Sequence, residues 1–202
     1  MIMRALITSL RLVAASMAIC VVGYAALLLG EAQLLTPATA NGSLVRDPNG
    51  QVVGSRLIAQ AFADPGYFWP RPSAVDYNAA GAGGSNKSPT SPELTTRALE
   101  LVARYHASAE RPLPPELAAA SGAGLDPHIS EHAARYQAER IASARGLGRS
   151  VIEQLIGARA FRPGGALTAD RLVNVLELNL ALDSIARRGS PTSAPPPESP
   201  AK

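Results

Sequence analysis

The chain has 202 residues and a formal net charge of +3, with seventeen arginines and two lysines against 16 acidic groups. The arginines are scattered along the chain, which gives no footing for nucleic-acid recognition, and the one cysteine, Cys20, excludes an intramolecular disulfide. Aromatic residues make up only 4% of the chain, so a core has to be built mainly from Leu, Val, Ile and Ala.

Residues 12–30, LVAASMAICVVGYAALLLG, carry no charge. At about 1.5 Å per residue a helix of this length crosses the roughly 30 Å hydrocarbon core of a bilayer, and helix is required because lipid offers no partners for backbone N–H and C=O groups. Arg4 and Arg11 precede the span and Glu31 follows it, with Arg46 the next basic residue. The basic flank marks the inner side, so residues 1–11 are expected in the cytoplasm and the remainder outside it. Ala38, Thr39 and Ala40 have the small-x-small form of a signal-peptide cleavage site, but the apolar run exceeds the about 7–15 residues of such a segment. The sequence therefore favours a retained anchor. Cys20 lies inside it and reads as a small apolar group.

Residues 31–188 suit one domain of about 150 residues, and their pattern predicts an α+β fold. Pro37 and the Asn41, Gly42 pair break the first helix. Asp47, Pro48, Asn49 and Gly50 form a turn, and Gln51 to Val53 with Leu57 and Ile58 read as the short strands of a hairpin or small sheet. Residues 64–74, DPGYFWPRPSA, form a proline- and aromatic-rich loop with two readings, a lid over the domain's own core or a docking surface. Residues 79–91, AAGAGGSNKSPTS, invite comparison with a phosphate loop, which needs G-x-x-x-x-G-K-[ST] leading into a helix. Here the second glycine is missing before Lys87, and Pro89 forbids a helix start, so no phosphate cradle is expected.

Ser91 and Pro92 open a helix, whose apolar face holds Leu94, Ala98, Leu101, Val102 and Tyr105 and which ends before Pro112. Ser130 caps a helix over residues 131–145 that Gly146 stops. Ser150 and Glu153 have capping-box spacing for a short helix ending near Gly157. Residues 172–182, LVNVLELNLAL, alternate like a strand at Leu176, Leu178, Leu180 and Leu182, while their length and the Arg187, Arg188, Gly189 terminus favour a helix, and a helix is expected. Residues 189–202, GSPTSAPPPESPAK, read as a disordered tail.

Few residues suggest chemistry. His128 and His132 are four apart, a zinc-compatible spacing on one helix, but His128 precedes the cap Ser130, no cysteine is near and Glu131 does not complete H-E-x-x-H. No metal site is expected, and Asp126 reads as a turn former. No catalytic residue is assigned.

Several stretches together resemble the C chain of the potassium-transporting P-type ATPase, the KdpC family. They are Ala40 to Leu44, Gly54 and Ser55 with Leu57, Ile58 and Gln60, and Tyr67 and Phe68 with Arg71 to Ala74. Further on come Gly83 to Asn86 with Ser91 and Pro92, Ala120 and Ser121 leading to Gly124, Leu125 and Asp126, the Tyr136, Gln137 pair, and Val173 and Asn174 with Glu177 to Asp183. Pro70 stands where the family usually has Gly, and Glu139 and Arg171 stand where it often has Pro.

The resemblance implies one inner-membrane helix, residues 12–30, followed by one small mixed extracytoplasmic domain. It implies an accessory subunit without catalysis of its own, associated with assembly and described as a catalytic chaperone that raises the ATP affinity of the hydrolysing chain. The implied partners are the potassium-conducting subunit and the ATP-hydrolysing P-type subunit. No cofactor is implied beyond ATP on that partner, with Gln137 as the implied nucleotide contact. Read from the residues alone, Gln137 is a surface amide or a helix–helix hydrogen bond. The other function class left open is a stand-alone anchored or secreted binding module.

Overall fold

A computed structural model describes residues 1–168 and 170–189. The chain divides into two compact units, Met1–Ser55 and Arg56–Lys202.

The first unit opens with α1 (Ile2–Met17), continues through a π-helical turn (Ala18–Gly23) and ends in α2 (Tyr24–Leu35). Together they form one apolar helix, Ile2–Leu35, of 34 residues, long enough to cross a membrane and with none of its most apolar window buried. It begins earlier and ends later than residues 12–30 because no Pro, and no Gly before position 23, interrupts residues 2–35. Thr36 at φ −139° precedes Pro37, whose ring disfavours helix in the residue before it, and the helix ends there. A single turn, α3 (Pro37–Ala40), follows.

Strands β1 (Leu44–Arg46) and β2 (Val52–Ser55) pair antiparallel, with Leu44 opposite Ser55 and Arg46 opposite Val52. The turn is the one expected. Asp47 accepts from the backbone N–H of Asn49 (2.9 Å) and Gln51 (2.8 Å), and Gly50 takes φ +82°. The pairing differs from the expected hairpin of residues 51–53 with Leu57 and Ile58. A turn closed between Asp47 and Gly50 brings its own two flanks together, so residues 44–46 supply the second strand.

The second unit contains α4 (Pro92–Arg104), α5 (Pro115–Ala118), β3 (His128–Ser130), α6 (Glu131–Arg145), α7 (Arg149–Arg159), a 3-10 turn (Gly165–Leu167), β4 (Leu172–Asn174) and α8 (Val175–Gly189). It is the mixed α and β arrangement expected, with β3 and β4 antiparallel and Ile129 opposite Val173. The core gathers Ala134, Ala138 and Ile141 of α6, Ile152 and Ile156 of α7, and Leu178 and Leu182 of α8, with Phe68 and Trp69 packed into it from residues 64–74.

Helix α6 has the bounds read from the sequence: the Ser130 hydroxyl accepts from Ala133 N–H (3.0 Å) and Gly146 closes it at φ +63°. Two readings are corrected. Residues 172–174 are strand, and the helix starts at Val175, because the Asn174 side chain accepts from Glu177 N–H (3.1 Å) as an N-cap. The capping box at Ser150 does not form. Helix α7 starts at Arg149, and Glu153 pairs with the Arg149 guanidinium (2.8 Å) one turn back. Residues 190–202 of the expected tail lie outside the described residues.

Candidate functional site

Residues 64–74 form no strand or helix, yet Phe68 and Trp69 are 0% and 7% exposed. Buried backbone of this kind needs hydrogen-bond partners from elsewhere. Two buried carboxamides supply them. Gln137 of α6 accepts from Trp69 N–H through Oε1 (2.9 Å) and donates from Nε2 to Trp69 C=O (3.0 Å). Asn179 of α8 does the same for the preceding residue, accepting from Phe68 N–H (2.8 Å) and donating to Phe68 C=O (3.1 Å). Each amide satisfies both backbone groups of one residue, as a neighbouring strand would.

Two arginines of α6 complete the attachment. Arg140 donates to the carbonyls of Pro65 and Tyr67 and, through Nη2, to Gln137 Oε1 (2.7 Å). Arg145 donates to Gly66 C=O (2.6 Å) and to Asp183 (2.9 Å), and the Tyr67 hydroxyl donates to the same carboxylate (2.9 Å). Five successive carbonyls, from Pro65 to Trp69, therefore accept from side chains of α6 and α8. The loop is also tied to itself. Trp69 Nε1 donates to Asp64 C=O (3.0 Å), and Asp64 accepts from Gly66 N–H (2.6 Å).

The Trp69 ring lies between the guanidinium groups of Arg104 (3.9 Å) and Arg140 (3.7 Å), a paired cation–π contact, and meets Tyr105 edge-on at 5.2 Å. Burial pulls Arg140 down to about 10 and pushes the Tyr105 phenol up. Tyr67 is also raised, by burial first and then by its bond to Asp183. A cleft of about 430 Å3 opens here, with Gln137, Arg140, Tyr105, Tyr136 and Arg111 among its lining.

Gln137 is thus neither a surface amide nor a helix–helix contact. It is 1% exposed, and its partner is a loop. The reason is its place in the buried stripe Ala134, Gln137, Ala138, Ile141, which the helical period predicts. Of the two readings of residues 64–74, Phe68 and Trp69 realise the lid over the domain's own core. Sequence reasoning missed Asn179, Arg140, Arg145 and Asp183 as parts of the attachment. Asn179 had a signal, since it is a lone carboxamide within the apolar run Leu176 to Leu182.

The other singled-out residues do not join this site. His128 is half-buried in β3 beside Phe161, and His132 is exposed on α6; among the described residues no group of three or more His, Cys, Asp or Glu could hold a metal. Asp126 accepts from His128 N–H (3.0 Å), as a turn former does, and its carboxyl is held below the usual range, chiefly by the His128 side chain. Lys87 is paired with Glu93 (2.7 Å).

The sequence model of a family described as "K+-transporting ATPase, c chain" matches residues 6–184. Similar proteins named potassium-transporting ATPase KdpC subunit include one from Parvibaculum lavamentivorans, 62% identical over 187 residues and covering 93% of this chain and 100% of that protein. Another from Cereibacter sphaeroides is 48% identical over 163 residues, 81% of this chain and 88% of that protein. A third, from Pseudomonas aeruginosa, is 45% identical over 166 residues, 82% of this chain and 89% of that protein.

Proposed function

We propose, from the premise that this chain belongs to the KdpC family, that it is a non-catalytic accessory subunit of an ATP-driven potassium import complex. Its partners in this reading are the potassium-conducting subunit and the ATP-hydrolysing subunit. Its role is to hold the complex together and to raise the ATP affinity of the hydrolysing chain. The observation that carries the reading is the extent of the family match, residues 6–184, which takes in the apolar helix as well as the domain behind it. In this reading the helix within Ile2–Leu35 crosses the inner membrane, the N-terminus is cytoplasmic and the domain is periplasmic. Arg4 and Arg11 before the apolar run, against Glu31 after it, support that orientation.

Within the same reading Gln137 acts on nucleotide use indirectly. Both ends of its carboxamide are engaged by Trp69 and Arg140, so a nucleotide could reach it only by displacing the loop. The hypothesis is tested by tagging this chain, extracting the membrane in mild detergent and analysing what co-purifies. Both large partner subunits should be retained at fixed stoichiometry, and the chain purified alone should hydrolyse no ATP. Recovery of the tagged chain without them would reject the subunit reading.

A further inference from the structure

A second cleft, about 460 Å3, is lined by Trp69, Pro70, Pro72 and Tyr77 on one side and by Arg97 and Arg104 of α4 on the other. Arg97 and Arg104 are seven residues apart, two helical turns, and so share a face of α4. Among the described residues neither guanidinium is paired with a carboxylate. Arg97 Nε is buried with no hydrogen-bond partner, and no ion pair engages Arg97 among the described residues. Arg104, exposed, lies over Trp69 and among the described residues donates to Phe62 C=O (3.4 Å). The acidic groups on the cleft, Asp76 and Glu100, are both exposed and pair with neither arginine.

The wall facing the arginines is held in a costly conformation. Asp76 and Tyr77 are consecutive residues at φ +50° and +57°, a region that bulky side chains avoid. Tyr77 is fixed there by its N–H to Ser73 Oγ (2.9 Å) and its hydroxyl to Arg71 C=O (2.9 Å). Such local strain concentrates at ligand-holding sites.

We infer that this cleft is a docking site for a segment of a partner subunit that presents a carboxylate to Arg97 and Arg104, next to an apolar side chain seated against Tyr77 and the prolines. The inference rests on the accessory-subunit reading. A carboxylate is the complement of a guanidinium with an unpartnered Nε, because it accepts two parallel N–H bonds from that fork. Arg, Trp and Tyr are also the residue types that dominate the energetics of protein interfaces, while Asp and Glu at the exposed rim remain hydrated.

The test uses the assembled complex with a photo-crosslinking amino acid in place of the exposed Glu100. Irradiation should join this chain to a partner subunit, at a peptide with Asp or Glu within a few residues of the adduct. Arg97→Gln should lower the crosslink yield at least about tenfold, as removal of one member of a desolvated charge pair does, and Arg97→Lys should restore part of it. Unchanged thermal unfolding and Trp69 emission show that the variants fold. Adducts to lipid alone, absence of any adduct, or a yield indifferent to Arg97→Gln would overturn the docking site. Those results in a complex that still co-purifies leave the subunit reading standing, whereas loss of the partners from the unsubstituted tagged chain defeats that reading itself.

Discussion

A carboxamide that both donates to and accepts from one backbone residue substitutes for a neighbouring strand, and residues 64–74 receive two such contacts in succession. Removing either amide leaves a buried N–H and C=O unpaired, at about 1–3 kcal/mol for each group. Trp69 is the chain's one tryptophan, so its fluorescence reports on this loop alone. Gln137→Ala and Asn179→Ala should each lower the unfolding midpoint and red-shift the native emission. Because the two amides hold adjacent residues, the double variant should lose less stability than the sum of the singles. Emission unmoved in both variants would contradict the anchoring role. In the complex, Gln137→Ala and Asn179→Ala should impair hydrolysis alike, more at limiting than at saturating ATP, because both loosen the same loop. A defect confined to Gln137→Ala would instead indicate a direct nucleotide contact. The sequence showed Gln137 through its family resemblance and the stripe it occupies, but not its partner. A residue whose bonds run to position 69 from position 137 leaves no local pattern to read. Asp126 supplies a pH test. Its folded carboxyl is held below its unfolded value of about 3.9, chiefly by the His128 side chain. Its contribution is therefore present above that value and lost as pH falls through the lower folded one. The stability gap between the native chain and Asp126→Asn, measured by denaturant unfolding, should close on going from neutral pH towards pH 3.

At the scale of elements, α6 carries both Gln137 and the two arginines, and its ends fix their register. Ser130 caps it and also bonds Glu116, donating from its hydroxyl and accepting nothing from that carboxylate, while its N–H donates to Glu116 at 3.2 Å. Ser130→Ala should destabilise the domain by about 1–2 kcal/mol in thermal or chemical unfolding. Gly146→Ala meets no neighbouring atom within 4 Å, so its cost, about 1–2 kcal/mol, comes from the left-handed backbone at φ +63° alone. Gly146→Asn should recover part of that loss, since Asn tolerates the conformation. These ends were legible because capping chemistry is local. The start of α8 was not. Leu172 to Leu182 has one composition throughout, and what separates strand from helix is the pairing of residues 172–174 with β3, more than forty residues away, together with the cap at Asn174. The hairpin is the same case: residues 47–50 are legible as a turn, but the strand that pairs with β2 is residues 44–46, and that pairing leaves no local mark.

At the scale of the whole molecule, one helix among the described residues is long and apolar enough to cross a membrane, and in the proposed topology the basic flank before it sets the side on which the domain lies. With Cys20 replaced by Ala and a cysteine placed at the exposed Thr95, an impermeant thiol reagent applied to cells with a permeabilised outer membrane should label the chain without lysis of the inner membrane. Labelling only after lysis would reverse the orientation. The family was legible in the order of short matching stretches behind the span, although no one stretch was decisive. What such stretches could not give is where this chain meets its partners, which depends on surfaces such as the cleft at Arg97 and Arg104. The central claim, that this chain is an accessory subunit on which the pump depends, is tested most directly by potassium-stimulated ATP hydrolysis at low potassium in membranes expressing the partner subunits with and without it. The account predicts that hydrolysis and complex assembly are lost without this chain and restored when it is supplied; a complex that assembles and hydrolyses ATP normally in its absence would contradict it.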